Sequence, residues 1–433
     1  MTTYDAIVIG TGVIGAATAF ELSKGGRKVL MLDRNRSVGH GSTAGSCAII
    51  RMHYSTRDGT AFAWEGYHYW RDWAEYLGLP AETELAKFVE TGCLVMKTEA
   101  NGFLDKHMRY SAALDCPYEE WSAETIAARL PIYDLQSYAP AKRPEDTAFG
   151  APNGGHLAGA VFWPKAGYVT DPALSAQNLA AAAQQHGAEV RLGAEVTAIT
   201  QAGGRVTGVS VDGTDISAPV VVNVAGPGSA AVNAMAGVMD DMTIETRPLR
   251  QEVVYVPAPE GFDFETDGMI VSDSDIACYC RPERGNHILI GSEDPPCDAH
   301  DWAESDTEYD HDFSDQWRVQ ALRYAQRVPS LGIPSRMKGV VDLYDASTDW
   351  IPIYDRSALD GFYMACGTSG NQYKNAPIAG KMMAALIEYC EGGADHDAAP
   401  LQYTLPYTGE AIDVGFYSRK RPINEESSFS VLG

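Results

Sequence analysis

The chain has 433 residues, 45% hydrophobic and 21% charged, a composition that excludes disorder throughout and leaves room for two or three domains. A formal net charge of −25 argues against nucleic acid or an anionic membrane as partner, and no apolar stretch reaches the ~20 residues of a membrane helix. The eight cysteines (47, 93, 116, 278, 280, 297, 366 and 390) show no C-x-x-C pair and no zinc-type spacing, so reduced thiols and no metal are expected. With no signal-type segment ahead of the first strand, the expected location is cytoplasmic.

The opening residues predict a strand over Ala6 to Ile9, a glycine turn, a helix through Ala16 to Leu22, and a second strand over Val29 to Leu32. Gly10, Gly12 and Gly15 have the G-x-G-x-x-G spacing of a dinucleotide fold, with Val13 and Ile14 inside the turn. Gly10 allows the tight bend, Gly12 lets backbone approach a pyrophosphate, and Gly15 lets helix and strand pack closely. The free N–H groups of the helix start face the phosphates. Asp33 ends the second strand, where an acid takes ribose hydroxyls.

Further along, Phe62 to Leu77 reads as a helix with Trp64, Tyr67, Trp70 and Trp73 as core. Thr91 to Met96 reads as a strand, Cys116 to Leu130 as a loop and helix, and 139–159 as a connection. A helix is predicted over Asp171 to His186, with Asp171 as cap and Pro172 at the first position. Strands follow over Glu189 to Leu192 and Glu195 to Thr200, then a hairpin at Gly203-Gly204. The buried run Pro219 to Val224 leads into Ala225-Gly226-Pro227-Gly228. From about residue 244, strand-length runs at 253–256, 269–271, 277–281 and 287–290 suggest an antiparallel sheet. The acidic stretch Glu293 to Asp315 reads as a solvated face. GFYMACGTSG is again a strand into a glycine turn, ahead of a helix over Pro377 to Tyr389.

Four segments, IGTGVIGAATAFEL with LDR, GSTAGSCAIIRMHYS, VVVNVAGPGS, and LYDASTDWIPIYDRSALDGFYMACGTSGNQYKNAPIAGKMMAALI, resemble the D-amino-acid-oxidase-like FAD-dependent oxidoreductases, in the sarcosine, dimethylglycine and glycine oxidase branch. The resemblance implies FAD, a roof of mostly antiparallel sheet, and oxidation of a C–N bond by hydride transfer to flavin N5, giving an imine that hydrolyses. It implies cofactor contacts from the glycine turn with Asp33 and Arg34, from Gly41, Ser42, Thr43, Ala44, Ser46, Cys47, Ala48 and Ile49, from Val196, and from Ala225 and Gly226. Gly367, Gly370, Asn371, Gln372, Tyr373 and Lys374 complete that set. Arg51 and Lys374 are implied to hold the substrate carboxylate. The alternative for Arg51 is a structural ion pair, and Lys374, ahead of a helix start that disfavours a cation, calls for something negative beside it. His53 and Tyr54 line the same cavity or pack. Tyr279 is the foremost wall candidate, with Tyr255, Tyr344 and Trp350 behind it. Covalent relatives use a histidine after the Gly-Ser-Thr turn or a cysteine before the final unit. Ala44, Gly45 and Asp342 stand there instead, implying noncovalent FAD. Leu289 replaces an oxygen-activating lysine, which leaves oxidase and dehydrogenase open.

The expected fold is therefore α/β, with a discontinuous Rossmann-like FAD-binding domain (1–85, 160–243 and 336–400) and an α+β substrate domain (86–159 and 244–335). Residues 401–433 form a tail without an arguable motif. The expected reaction is oxidation of a small secondary or tertiary amino acid of the sarcosine or N-methyl type, with oxygen or an electron carrier as acceptor. A D-amino-acid dehydrogenase, a 2-hydroxyacid oxidoreductase and a flavin-carrying subunit of an electron-transfer complex remain open, as does self-association.

Overall fold

Strand β1 (Ala6–Ile9) lies between β2 (Val29–Asp33) and Val221–Asn223 in a six-stranded sheet, in the computed structural model, which describes residues 3–433. Phe362–Cys366 continues the sheet beyond Val221–Asn223, and Glu189–Leu192 closes the edge beside β2. These five strands are parallel. Only Ile353–Arg356 runs antiparallel at the far edge. The central strands are apolar without alternation because both faces are covered. On one face pack α1 (Val13–Lys24) and the helices Pro172–Gln185 and Ala376–Glu391. An added Cβ at Gly380 would lie 2.6 Å from the backbone of Ala17, so the two helices touch main chain to main chain. The other face carries a three-stranded antiparallel sheet, Val196–Ala202, Arg205–Val211 and Thr214–Ser217.

A second sheet of nine strands roofs the C-terminal ends of the first. Its centre is the antiparallel run Thr246–Pro257, His287–Ser292, Cys278–Glu283 and Ile270–Asp273. A parallel pairing of Ile270–Asp273 with Cys93–Met96 joins it to a piece made from residues before 164. Helix Asp315–Arg327 covers its far side through Trp317, Ala321 and Tyr324, leaving the near side facing the first sheet. The fold is thus mixed α/β with a discontinuous nucleotide-type sheet, as the motif order implies.

Several local expectations are corrected. The aromatic helix is two helices, Arg57–Arg71 and Trp73–Leu77, broken at Asp72. Gly339–Ser347, placed by sequence with the cofactor elements, pairs with Thr246–Pro257 over nine residues of the roof. Gly159–Trp163 likewise joins the roof. In Gly339–Ser347, Asp342 and Asp345 face a cavity and break the apolar alternation that marks a strand. The acidic stretch is not wholly solvated: Glu293 is 6% exposed, and Asp298 meets buried Arg323 at 2.6 Å. The tail is bound to the body by two buried arginines. Arg419 pairs with Asp241, Asp355 and Asp397, and Arg421 is bidentate to Asp349 at 2.7 and 2.9 Å. Among the described residues no helix is long and apolar enough to cross a membrane, and no cluster of metal-ligating side chains occurs.

Candidate functional site

Between the two sheets runs one long cavity. Its first end is backbone. Gly12, Val13, Ile14 and Gly15 line it at the start of α1, where Gly12 offers no side-chain cap and the amides of Ile14 and Gly15 are left to a ligand. Gly10, behind them, has φ +110°, and an added Cβ there would lie 2.2 Å from Val224 O. At Gly15 a Cβ would lie 2.2 Å from Gly10 O, so helix and turn leave no room for a side chain. Ser42, Thr43, Ser46, Cys47, Ala48 and Ile49 line the next part, and Gly226 faces them from the turn after Val221–Asn223. Thr43 Oγ1 accepts from Val13 N at 3.0 Å, and Ser42 Oγ donates to Leu343 O at 2.6 Å, tying this loop to both sheets.

Other expected contacts support the cradle from outside. Asp33 Oδ2 accepts from Thr11 N at 2.8 Å and Thr11 Oγ1 at 2.7 Å, which fixes the carboxylate at the end of β2. Arg34 is turned to Asp306 at 2.6 Å, Val196 is buried under the three-stranded layer, and Gly41 and Ala225 lie behind the lining. Ala44 faces a second hollow. Gly367 N donates to Asp345 Oδ2 at 2.5 Å, so that amide is already engaged. The glycine turn and the amides of Ile14 and Gly15 at the helix start fit an FAD pyrophosphate. Asp345 Oδ1 remains buried and unpartnered on the wall, its carboxyl pushed up to about 7 by burial.

The second end is built of side chains. Gly370, Asn371, Gln372, Tyr373 and Lys374 enter from the turn before Ala376–Glu391, and Arg51 and His53 from the segment after Ile49–Ile50. Arg51 is 7% exposed and Lys374 3%, and among the described residues neither has a carboxylate within ion-pair distance. Arg51 Nη1 donates to His53 O and Nη2 to Val431 O at 2.9 Å, with the guanidinium 4.6 Å from the Tyr54 ring centre. Lys374 Nζ donates to Asn371 O at 2.6 Å and lies 5.0 Å from the same ring. The structural ion pair weighed for Arg51 is absent, and the negative neighbour expected for Lys374 is not supplied by the described protein. Burial, then Arg51, pushes the Lys374 ammonium well below the usual lysine range. Burial, with Arg51, His107 and Lys374 nearby, likewise holds His53 neutral, its Nδ1 unpartnered. Tyr54 is pushed up to about 12 by burial and donates to Asn371 O at 2.5 Å.

Tyr279 lines the roof 3.7 Å from Cys47 Sγ, and Tyr344 lines it beside Tyr279. Trp350 packs behind without reaching the cavity, whereas Tyr255 faces the second hollow and stacks on His287 at 4.4 Å. Leu289 faces that hollow too. Directly across the strand pair stands Arg281, which is paired with Glu283 at 2.9 Å. Asp342, at the position where covalent relatives carry a cysteine, lines the cavity against Gly45. Sequence reasoning missed Ser272, Gln251, Asp345 and the tail residues Val431 and Leu432, all on the wall. The apolar ending Phe429 to Leu432 was the only signal for the last two.

Known proteins agree with this geometry. Glycine oxidase of Geobacillus kaustophilus (strain HTA426) is 25% identical over 413 residues, covering 93% of this chain and 97% of that protein. Sarcosine oxidase subunit beta of Rhizobium meliloti (strain 1021) is 22% identical over 420 residues, covering 95% and 90%. The crystal structure of L-proline dehydrogenase from P. horikoshii superposes with a TM-score of 0.75 at 20% identity, covering 96% of this chain and 97% of that one. The pattern of the FAD dependent oxidoreductase family, DAO, matches residues 5–386, and with a glycine cradle at one end of the cavity and a polar wall at the other, the chain belongs to that family of FAD enzymes.

Proposed function

We propose that the protein oxidises the C–N bond of a small secondary or tertiary amino acid of the sarcosine or N-methyl type, acting on CH–NH rather than CH–NH₂ donors. The observation that carries this reading is the pair Arg51 and Lys374: two buried cations facing one cavity, neither with an ion-pair partner among the described residues. Leaving both unbalanced is costly unless a ligand carboxylate joins them. Arg51 offers a planar fork suited to that group. The names of the similar proteins, glycine oxidase and sarcosine oxidase subunit beta, favour an amino acid over other carboxylates.

Bound noncovalently, FAD supplies a two-electron acceptor. The chain's own part is placement. Arg51 and Lys374 fix the carboxylate and thereby the carbon next to nitrogen, neutral His53 and the Tyr54 ring add no competing charge, and the roof through Tyr279 and Tyr344 keeps water out. Oxygen or a protein electron carrier then takes the electrons. The test is an anaerobic panel of sarcosine, other N-methyl amino acids, D-amino acids and 2-hydroxy acids on the purified yellow protein, followed by air. Bleaching by N-methyl amino acids is expected, and bleaching by hydroxy acids alone overturns the reading. Rapid recovery of colour in air marks an oxidase, and recovery only with an added dye marks a dehydrogenase.

A further inference from the structure

Behind the wall of the same cavity lies a buried acid without an ion-pair partner among the described residues. Ser272 lines the cavity from strand Ile270–Asp273, beside Tyr279 on the neighbouring strand. Its hydroxyl donates to Glu293 Oε1 at 2.6 Å, and Ser274 Oγ donates to Oε2 at 2.8 Å. Glu293 is 6% exposed, and among the described residues no lysine, arginine or histidine lies within ion-pair distance. Cys93, on the adjoining strand and on the cavity wall, lies within electrostatic reach of Glu293, Arg51 and Lys374 alike. Arg51 and Lys374, without an ion-pair partner among the described residues, thus share a cavity with Ser272, which connects it to the buried acid Glu293. Their charges complement a zwitterion.

We propose that Glu293, through the Ser272 hydroxyl, is the acceptor of the ammonium proton of the bound amino acid. The inference rests on the amine reading above and deepens it. An amino acid in solution carries R₂NH₂⁺, which has no lone pair to drive loss of hydride from the adjacent carbon. With the Ser272 hydrogen donated to Glu293, the oxygen lone pairs are left to accept from the substrate N–H. The substrate nitrogen gives one proton to Ser272 Oγ while Ser272 gives its own to Glu293. The balance is R₂NH₂⁺ plus carboxylate to R₂NH plus carboxylic acid, with no electrons moved. Ser272 touches the substrate; Glu293 is a positioning residue acting through it.

The surroundings suit an acceptor. Burial pushes the Glu293 carboxyl up to about 7, against the opposing effect of the two serine hydroxyls. Cys278 faces it from strand Cys278–Glu283 and Cys93 from Cys93–Met96, both thiols raised by burial. Asp273 and Asp275 lie on the same turn, where Arg327 of helix Asp315–Arg327 holds them at 2.7 and 2.9 Å; one guanidinium offsets one of the two charges, and Asp273 adds to the rise at Glu293. Asp294 follows in the chain, bonded to Gln251 at 3.1 Å. An acid of this strength is ionised at the pH where a substrate arrives; an alkyl ammonium, ~10.4 in water, is the weaker acid, and its proton crosses because burial disfavours the charged pair more than the neutral one.

The experiment compares wild type, Glu293→Gln and Ser272→Ala as FAD-loaded enzymes of checked flavin content and melting temperature. The rate of anaerobic flavin bleaching by an N-methyl amino acid is followed from pH 6 to 10. Wild type is expected to lose rate only below about 7. In Glu293→Gln the limb moves toward the substrate's own amine, ~10.4 for an alkyl ammonium, leaving a rate on the order of 100-fold lower at pH 8. N-(2,2,2-trifluoroethyl)glycine, whose weakly basic amine is already neutral, restores the variant. A second readout needs no turnover: α-aminoisobutyrate, which has no hydrogen on its α-carbon, should raise a protonated-carboxyl infrared band in wild type and not in Glu293→Gln. Unchanged pH profiles, equal losses with both amines, or no carboxyl band each overturn the relay while wild-type bleaching upholds the amine reading. Absence of wild-type bleaching by every amino acid overturns both.

Discussion

At the cradle end of the cavity, from Gly12 to Ile49, the wall is mostly backbone, and the side chains that shape it are satisfied within the protein: Thr43 by Val13, Ser42 by Leu343, Asp33 by Thr11. At the substrate end, between Arg51, Lys374 and Ser272, ionisable groups stand without counter-ions, Arg51 and Lys374 on one side and Glu293 on the other. The first end recognises shape and leaves no room for a Cβ at Gly10 or Gly15. The second stores electrostatic strain that a ligand relieves, an arrangement that trades stability for binding.

The sharpest break of the cradle is Gly10→Val. The residue has φ +110°, and even a Cβ would sit 2.2 Å from Val224 O, so β1 and the strand Val221–Asn223 would have to separate. Left-handed strain and overpacking together cost about 2–6 kcal/mol. The variant should purify without yellow colour and melt well below wild type. Normal flavin content by absorbance would show that the turn has slack.

At the other end the sign reverses. Lys374→Met should raise the substrate constant by roughly one to two powers of ten, as a charged hydrogen bond is worth ~1.5–3 kcal/mol. Without ligand, however, it should melt higher than wild type at pH 7. The Lys374 ammonium is pushed down by burial and Arg51, so the folded state binds its proton less readily than the unfolded chain. The resulting penalty is present while the unfolded lysine is charged and fades as pH approaches that lysine's ordinary value, so wild-type stability gains a rising slope above neutrality that the variant lacks. Melting curves between pH 7 and 10, with and without a carboxylate ligand, check both halves. Arg51→Met should weaken binding by a similar factor, and full activity on a carboxylate substrate would remove Arg51 from the site.

The same division explains what could be read from residues alone. A cradle of glycines is local: Gly10, Gly12 and Gly15 act within six positions, and spacing reveals them. Arg51 and Lys374 were legible because a cation after an apolar run or before a helix start is anomalous in itself. Ser272 and Glu293 were not. Each is an ordinary residue until the strands Ile270–Asp273 and Cys278–Glu283 pair and the chain after Ser292 folds back, and Glu293 was counted with the solvated acids that follow it. Gly339–Ser347 was misplaced because its cavity-facing aspartates hide the strand pattern. The tail's place depends on ion pairs from Arg419 and Arg421 to acids more than twenty positions away.

That tail sharpens the substrate end with the smallest expected effect. Beyond Arg421 it has no helix or strand, and Ile423 and Phe429 are 47% and 43% exposed. Yet Val431 is buried against Leu249, Tyr279, Ala346 and Trp350, its carbonyl accepts from Arg51, and Ser55 N donates to Gly433 O at 2.9 Å. Val431 and Leu432 line the cavity beside Arg51, and on the proposed amino-acid reading their side chains are expected to limit what fits next to the carboxylate. Removing 427–433 deletes apolar wall, and a missing methylene-sized contact changes discrimination by ~1–3 kcal/mol. The preference for sarcosine over an N-methyl amino acid with a large side chain should fall about 10-fold, with flavin content unchanged because the cradle is untouched. If the ratio of kcat/KM values for the two substrates stays as in wild type, the tail does not set the size of the site, and the roof residues Tyr279 and Tyr344 must.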